Sequence, residues 1–319
     1  MPLLSQSSYQ RPKWLFNGHL ETIYPALFRQ VYVPIPTRER VETTDEDFLD
    51  IDWYRSGSSR LVIISHGLEG NSSRPYILGM VKEFLKYGFD VLAWNYRGCG
   101  EELNRKPIFY HSGATYDLDQ VVKHAAPAYE EIFLVGFSLG GNLTLKYLGE
   151  IKNTLPKIKK AVAISVPLDL GKSCEKISSG QNLIYSKRFL QTLVKKVERK
   201  ADLFPDEFSL EKLKKVKTLR DFDDVFTGPL HGFSDAEEYY QVNSSLQFLD
   251  KIEVPSFILN AQNDPFLSET CFPEKLAQKL DLVHFEFPKH GGHVGFTSPS
   301  KEKSYYSEAR AVEFITHDL

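Results

Sequence analysis

From about residue 60 onward, short unbroken apolar runs alternate with longer segments whose apolar residues recur every three or four positions. Continuous apolarity marks strands buried on both faces, and the longer period marks amphipathic helices, so the alternation predicts a parallel sheet covered by helices. Strands are expected at 61–65, 90–95, 132–136, 161–166, 256–260 and 283–287. Crossover helices are expected at 76–87, 117–126, 139–151 and 271–280, with a closing helix at 301–316. Before residue 61, alternating polar and apolar stretches at 30–35 and 48–54 suit antiparallel edge strands.

One interval breaks the rhythm. Between 169 and 249 no core strand is visible, while Leu, Phe, Tyr and Lys recur at helical spacing. This predicts a helical cap inserted in a single domain of residues 1–319, carried above the C-terminal edge of the sheet where α/β proteins bind ligands. The interval is basic, with 11 Lys and Arg against 5 acids over 187–220. Such a run is either a solvated helix face or a surface for transient contact with lipid.

Composition excludes several classes. The 319 residues carry 39 Lys and Arg against 42 Asp and Glu, a net charge of −3, so no overall field draws the chain to nucleic acid. Cys99, Cys174 and Cys271 are odd in number and widely spaced, which fits free thiols in a reducing compartment and no disulfide framework. No apolar stretch has the roughly 18 to 20 residues of a membrane span, and residues 1–13 lack a signal-peptide core. A cytoplasmic location is the expectation. Oligomeric state is not encoded in any of these features.

The chemistry-bearing signal is Gly136-Phe137-Ser138-Leu139-Gly140, with Gly141 following. An apolar run enters this string and a helical segment leaves it, as a nucleophile elbow requires. Ser138 is then the nucleophile, held at a helix N-terminus whose partial positive charge favours developing negative charge. A tetrahedral oxyanion needs donors, and the backbone N–H of Leu139 is one. Ser65-His66-Gly67-Leu68-Glu69-Gly70 follows an earlier strand and offers the N–H of Leu68 as the other; His66 is read as bracing that loop. Serine needs a base, and the base an orienting acid. Asp264, in the turn after residue 260, is the expected acid. His293, in the glycine-rich loop after residue 287, is the expected base, with His290 as the alternative. Phe137, Phe226, Leu230 and Phe233 are candidate substrate contacts. A metal site built on His284, His290 and His293, or on Asp223 and Asp224, lacks zincin spacing, so neither a metal nor an organic cofactor is expected.

With Ser138, Asp264 and His293 in this order, the chain resembles an α/β-hydrolase. The strings Trp14-Leu15-Phe16-Asn17-Gly18-His19-Leu20-Glu21-Thr22-Ile23, Asn95-Tyr96-Arg97-Gly98-Cys99-Gly100, Tyr110-His111-Ser112-Gly113 and Tyr239-Tyr240 with Ser244-Ser245 resemble the YheT-like hydrolases. The likeness runs from about Arg11 to the C-terminus. It implies a serine carboxylesterase-type triad on Ser138, Asp264 and His293 and a small-molecule ester as substrate. No counterpart of the hydrophobic N-terminal anchor of the eukaryotic relatives is expected here. In these strings Trp14 and His19 are read as latching the N-terminal segment, Arg97 as bracing a loop, and Asp117 as a cap or a solvent-facing acid. The expected activity is hydrolysis of short- to medium-chain or lipid-like carboxylic esters. Thioesterase or acyltransferase chemistry on the same triad, and a catalytically silent binding protein, are the alternatives.

Overall fold

The computed structural model describes residues 3–4, 6–151, 155–300 and 304–317. Among these, the chain runs α1 (Gly18–Phe28), β1 (Thr37–Glu42), β2 (Phe48–Tyr54), β3 (Arg60–Ser65), α2 (Pro75–Lys86), β4 (Asp90–Asn95), α3 (Thr115–Ala125), β5 (Glu131–Phe137), α4 (Leu139–Glu150) and β6 (Ile158–Ile164). Then follow α5 (Leu170–Ile177), α6 (Leu183–Ala201), α7 (Leu210–Lys215), α8 (Leu219–Phe222), α9 (Gly228–Leu230) and α10 (Ala236–Asn243). The chain returns to the sheet with β7 (Ser256–Leu259), α11 (Glu274–Ala277), β8 (Val283–Glu286) and α12 (Tyr306–Thr316).

The strands form one sheet in the order β1-β2-β4-β3-β5-β6-β7-β8. The pairs β1/β2 and β2/β4 are antiparallel, and every pair from β4 to β8 is parallel. Alternate residues of each inner strand feed opposite layers. Leu61 and Ile63 join the α3 and α4 side, whereas Val62 and Ile64 join the layer formed by α2 and α12. Because both faces are covered, these strands read as unbroken apolar runs.

Four expectations shift. Residues 30–35 form no strand; Tyr32 and Ile35 are 82% and 96% exposed. The edge strand is instead Thr37-Arg38-Glu39-Arg40-Val41-Glu42, whose charges conceal it from a hydrophobicity reading. Arg38 and Arg40 reach across to Asp52 and Asp50, each at 2.8 Å, so the cross-strand pairs are ionic. The strand expected at 161–166 lies at 158–164, because Ser165 turns the chain with φ 53°. The helix expected at 271–280 contracts to the single turn α11, which starts only after Pro273. At the C-terminus α12 starts at Tyr306, and residues 301–303 of the expected helix lie outside the described residues.

Between β6 and β7 the described chain forms only helices and turns, packed around a core of their own that includes Leu193, Val197, Phe208, Phe222 and Phe226. This segment rests on the loops that leave the C-terminal ends of the strands. Phe109 and Phe266 from those loops enter its core. Lys200 Nζ, fully buried, donates to the carbonyls of Lys106, Pro107 and Ile108, and Lys196 Nζ lies 2.6 Å from Glu69 Oε1. Two of the cations expected on a solvated face thus point inward, satisfied by carbonyls and a carboxylate. Lys187, Lys195, Lys212, Lys214, Lys215 and Lys217 are exposed.

Candidate active site

At the end of β5 the backbone reverses into α4 within one residue. Ser138 carries φ 52° and ψ −118°, a conformation that costs a non-glycine residue about 1–3 kcal/mol and persists only where its surroundings impose it. The surroundings are glycines. A Cβ at Gly136 would stand 2.2 Å from the Gly140 carbonyl oxygen, and one at Gly140 would stand 2.4 Å from that of Ser65. Ser138 N–H donates to Ile164 O at 2.8 Å, and its carbonyl accepts from Gly141 and Asn142. The side chain does not cap α4. It faces the loop after β8 instead.

There His293 Nε2 lies 2.9 Å from Ser138 Oγ, and His293 Nδ1 lies 2.8 Å from Asp264 Oδ2. A proton on Nδ1, donated to Asp264, leaves Nε2 as an acceptor for the serine hydroxyl. Asp264 is buried, and its other oxygen accepts from Phe266 N–H at 2.8 Å. The Phe266 ring stacks on the imidazole at 4.0 Å between centroids. His290 makes no hydrogen bond to Ser138 or Asp264, and among the described residues its buried Nδ1 has no partner. His284 packs on Phe314 of α12, away from the loop histidines. Among the described residues no group of three His, Cys, Asp or Glu is arranged to hold a metal ion.

The histidine loop is held by a helix that hydrophobic periodicity does not reveal. In α1, Thr22 Oγ1 accepts from His293 N–H at 2.8 Å, and Glu21 Oε1 accepts from Gly291 N–H at 3.2 Å. The second Glu21 oxygen accepts from the Asn263 side chain, whose own oxygen accepts from Gly292 N–H at 3.1 Å. Gly18 is needed because a Cβ there would stand 2.0 Å from Asn263 O. The signal was the string around Asn17, Gly18 and Glu21, read above as a latch. His19 does latch, with Nδ1 3.0 Å from Tyr185 Oη on α6, and Trp14 packs edge-on against Tyr24.

On the other side of Ser138, a Cβ at Gly67 would lie 3.2 Å from Ser138 Cβ, which brings the 66–70 loop against the elbow. Tyr76 Oη accepts from Gly67 N–H at 3.0 Å, and Tyr110 Oη accepts from Glu69 N–H at 2.9 Å. The N–H groups of Leu68 and Leu139 have no protein acceptor among the described residues, and both residues line the cavity in front of Ser138. His66 braces the loop from beneath: Nδ1 lies 2.8 Å from Gly67 O, and Nε2 accepts from Tyr96 N–H at 3.3 Å. Burial drives its pKa down to about 3, so the ring is neutral.

Ser138 and His293 open into a cavity of about 390 Å³ walled by α1, α5, α6, α8 and the 66–76 loop. Its apolar lining comes from Ile23, Leu170, Ile177, Leu193, Leu219 and Phe222. The four aromatic and aliphatic candidates fall elsewhere. Phe137 is buried under Tyr76, Phe226 sits in the helical segment's core, Leu230 packs on that core, and Phe233 lies against His111 and Tyr239. Which face of a short helix turns to the cavity depends on packing that spacing does not encode. Arg97 is a brace as expected, buried between Asp45, Asp47 and Asp117. Asp117 therefore neither caps nor meets solvent, being buried against that guanidinium.

A mostly parallel sheet with a serine on a strained strand-to-helix turn, facing an imidazole and a carboxyl, is the architecture of an α/β hydrolase. The family model described as alpha/beta hydrolase fold matches residues 60–298, and the chain belongs to that family, in its YheT-like branch. It is 35% identical to YheT of Escherichia coli (strain K12) over 315 residues, 94% of this chain and 90% of that one. It is also similar to the Monoacylglycerol lipase of Saccharomyces cerevisiae, 32% identical over 78% of this chain but only 57% of the yeast protein. Among solved structures, the esterase Pf2001 of Pyrococcus furiosus superposes with a TM-score of 0.59 at 18% identity, covering 90% of this chain and 97% of the other, a likeness of fold. The protein is thus an α/β hydrolase with esterase- and lipase-like relatives. No helix among the described residues is long and apolar enough to cross a membrane.

Proposed function

We propose that the protein hydrolyses carboxylic esters through Ser138, His293 and Asp264, with residues 169–249 as a helical cap of a single hydrolase domain. The observation that carries this reading is the unbroken hydrogen-bonded line from Asp264 Oδ2 through the imidazole to Ser138 Oγ, opening on an apolar cavity. Ser138 Oγ attacks the acyl carbonyl carbon while His293 Nε2 takes the hydroxyl proton. The charge that develops on the carbonyl oxygen is met by the Leu68 and Leu139 N–H groups, and the imidazolium by Asp264. As the tetrahedral carbon collapses, its bond to the alkoxy oxygen breaks and His293 returns the proton to the departing alcohol. Water then repeats the cycle on the acyl-serine and frees the acid; an alcohol in its place would form a new ester. No step draws on a metal or organic cofactor.

A volume of about 390 Å³ is in the range of pockets for drug-sized ligands. With walls this apolar it suits a short- to medium-chain acyl group or a lipid-like ester. The exposed lysines of 187–217 offer a transient contact with an anionic lipid surface. The three cysteines are free, as a cytoplasmic protein's would be.

The test is stoichiometric labelling by a fluorophosphonate ester, with turnover of p-nitrophenyl esters of increasing chain length. Labelling confined to Ser138, and turnover lost in Ser138→Ala, are the expected results. Well-folded protein that neither labels nor turns over would refute the reading and leave a binding protein on a hydrolase fold.

A further inference from the structure

Two carboxyls line this mostly apolar cavity: Glu69, which is paired with Lys196, and Asp223, which is paired with no cation among the described residues. Asp223 starts a π-helical turn, Asp223–Thr227, set between α8 and α9. Turns of this kind are rare and often found at functional sites, where the wider coil re-aims a side chain. Asp223 Oδ2 accepts from Tyr240 Oη at 2.6 Å. Because that hydroxyl has one hydrogen, Cys174 Sγ, 3.2 Å from the same oxygen, is the donor in the next contact, and the three groups form a chain that ends on the carboxylate. Cys174, Tyr240 and Thr227 all line the cavity with Asp223.

The charges around Asp223 do not neutralise it. Asp224 turns away, its Oδ1 accepting from Ala236 N–H at 2.7 Å, and Arg220 is engaged by Glu237 at 3.0 Å. Among the described residues no cation forms an ion pair with Asp223. Burial pushes the carboxyl up to about 6, with Tyr240 and Thr227 opposing and Asp224 adding to the rise. A carboxyl in an apolar wall costs free energy unless donors reach it. Tyr240 and Thr227 supply donors from the protein side, and the cavity side is open to a ligand.

We propose that Asp223, oriented by Tyr240, is a specificity-determining contact that accepts a hydrogen bond from a hydroxyl or ammonium group on the part of the ester lying under the cap. The enzyme then selects esters that carry such a donor over plain alkyl esters of the same length. This inference rests on the ester-hydrolase reading above.

The experiment compares kcat/KM of the wild-type protein for p-nitrophenyl esters of unsubstituted, ω-hydroxy and ω-amino acids across a range of matched chain lengths. At the fitting length a donor-bearing ester is favoured by roughly 10- to 100-fold, the scale of one hydrogen bond to a charged group. The ratio between the two donor series tells hydroxyl from ammonium. Asp223→Asn and Asp223→Leu bring the preference to near one or reverse it, chiefly through KM, whereas Tyr240→Phe, which keeps the acceptor but loosens it, leaves an intermediate preference. Turnover without preference at any length overturns this inference and leaves ester hydrolysis standing; no turnover of any ester overturns both. Because the wild-type series needs no variant, a substitution that fails to fold does not shield the proposal.

Discussion

Replacing Lys196 by methionine removes a charge that α6 sends into the 66–70 loop while keeping most of the side chain's apolar length. Lys196 is 7% exposed; its Nζ lies 2.6 Å from Glu69 Oε1, 3.6 Å from Cys99 Sγ and 4.7 Å above the Tyr110 ring. Glu69 would keep one partner, the Tyr110 hydroxyl at 2.8 Å, and lose its cation in a site where its side chain is only 10% exposed. Breaking a buried pair on one side costs about 3–5 kcal/mol. The retained tyrosine places Lys196→Met near 3 kcal/mol, or roughly 4–5 °C in Tm for a chain of this size. Glu69→Gln should cost less, and the double variant less than the sum, because the stranded carboxylate is gone. Glu69 follows Leu68 directly and holds φ 51°, so relaxation there moves the Leu68 N–H and lowers kcat more than it raises KM. Urea unfolding and steady-state kinetics on the three variants read both effects. A Lys196→Met protein within about 1 kcal/mol of wild type, with kcat unchanged, would refute the coupling.

Three further outcomes rest on the same geometry. Thr22→Val strips the acceptor from the His293 N–H, at a cost of about 1–3 kcal/mol for the orphaned group, and kcat is expected to fall about tenfold with little change in KM. Gly140→Ala drives a methyl to 2.4 Å from Ser65 O and 2.5 Å from His66 O, so fluorophosphonate labelling should be nearly abolished even in protein that retains its circular dichroism. The third outcome is a pH effect. His66 titrates near 3 when folded and near 6.5 when unfolded, so the unfolded chain binds the extra proton; its contribution is complete above about pH 6.5 and is lost as pH falls toward 3. Unfolding free energies from urea titrations should fall by up to about 1.4 kcal/mol per pH unit from this group as pH drops below about 6.5, and His66→Gln should have a shallower slope. Parallel slopes for the two proteins would contradict a buried neutral imidazole.

The inner sheet and the elbow were legible because their causes are local. Residues 61–64, 91–94 and 132–135 are apolar without a break since both faces are covered, and Gly136 and Gly140 are glycines since nothing larger fits. The features that stayed hidden depend on partners far along the chain. β1 carries four charges, intelligible only once Asp50 and Asp52 stand opposite two of them. Helix α1 contains Pro25 and no clean apolar stripe, and its polar residues Glu21 and Thr22 are buried because the histidine loop, some 270 residues later, needs acceptors. The cavity lining was misjudged for a related reason. Phe222 and Phe226 are one helical turn apart, yet only Phe222 lines the cavity, since the π turn rotates the residues after Phe222 about the helix axis.

The pairing of α1 with the 290–295 loop also sets an order on biosynthesis. Glu21 and Thr22 leave the ribosome early, and the amides of Gly291 and His293 that they bind are translated 270 and 271 residues later. At about 5–20 residues per second that interval is roughly 15–50 s. Throughout it the nascent chain holds Ser138 without the imidazole that faces it in the folded protein. Any chemistry that needs both side chains therefore waits until the histidine loop has been made and has docked on α1.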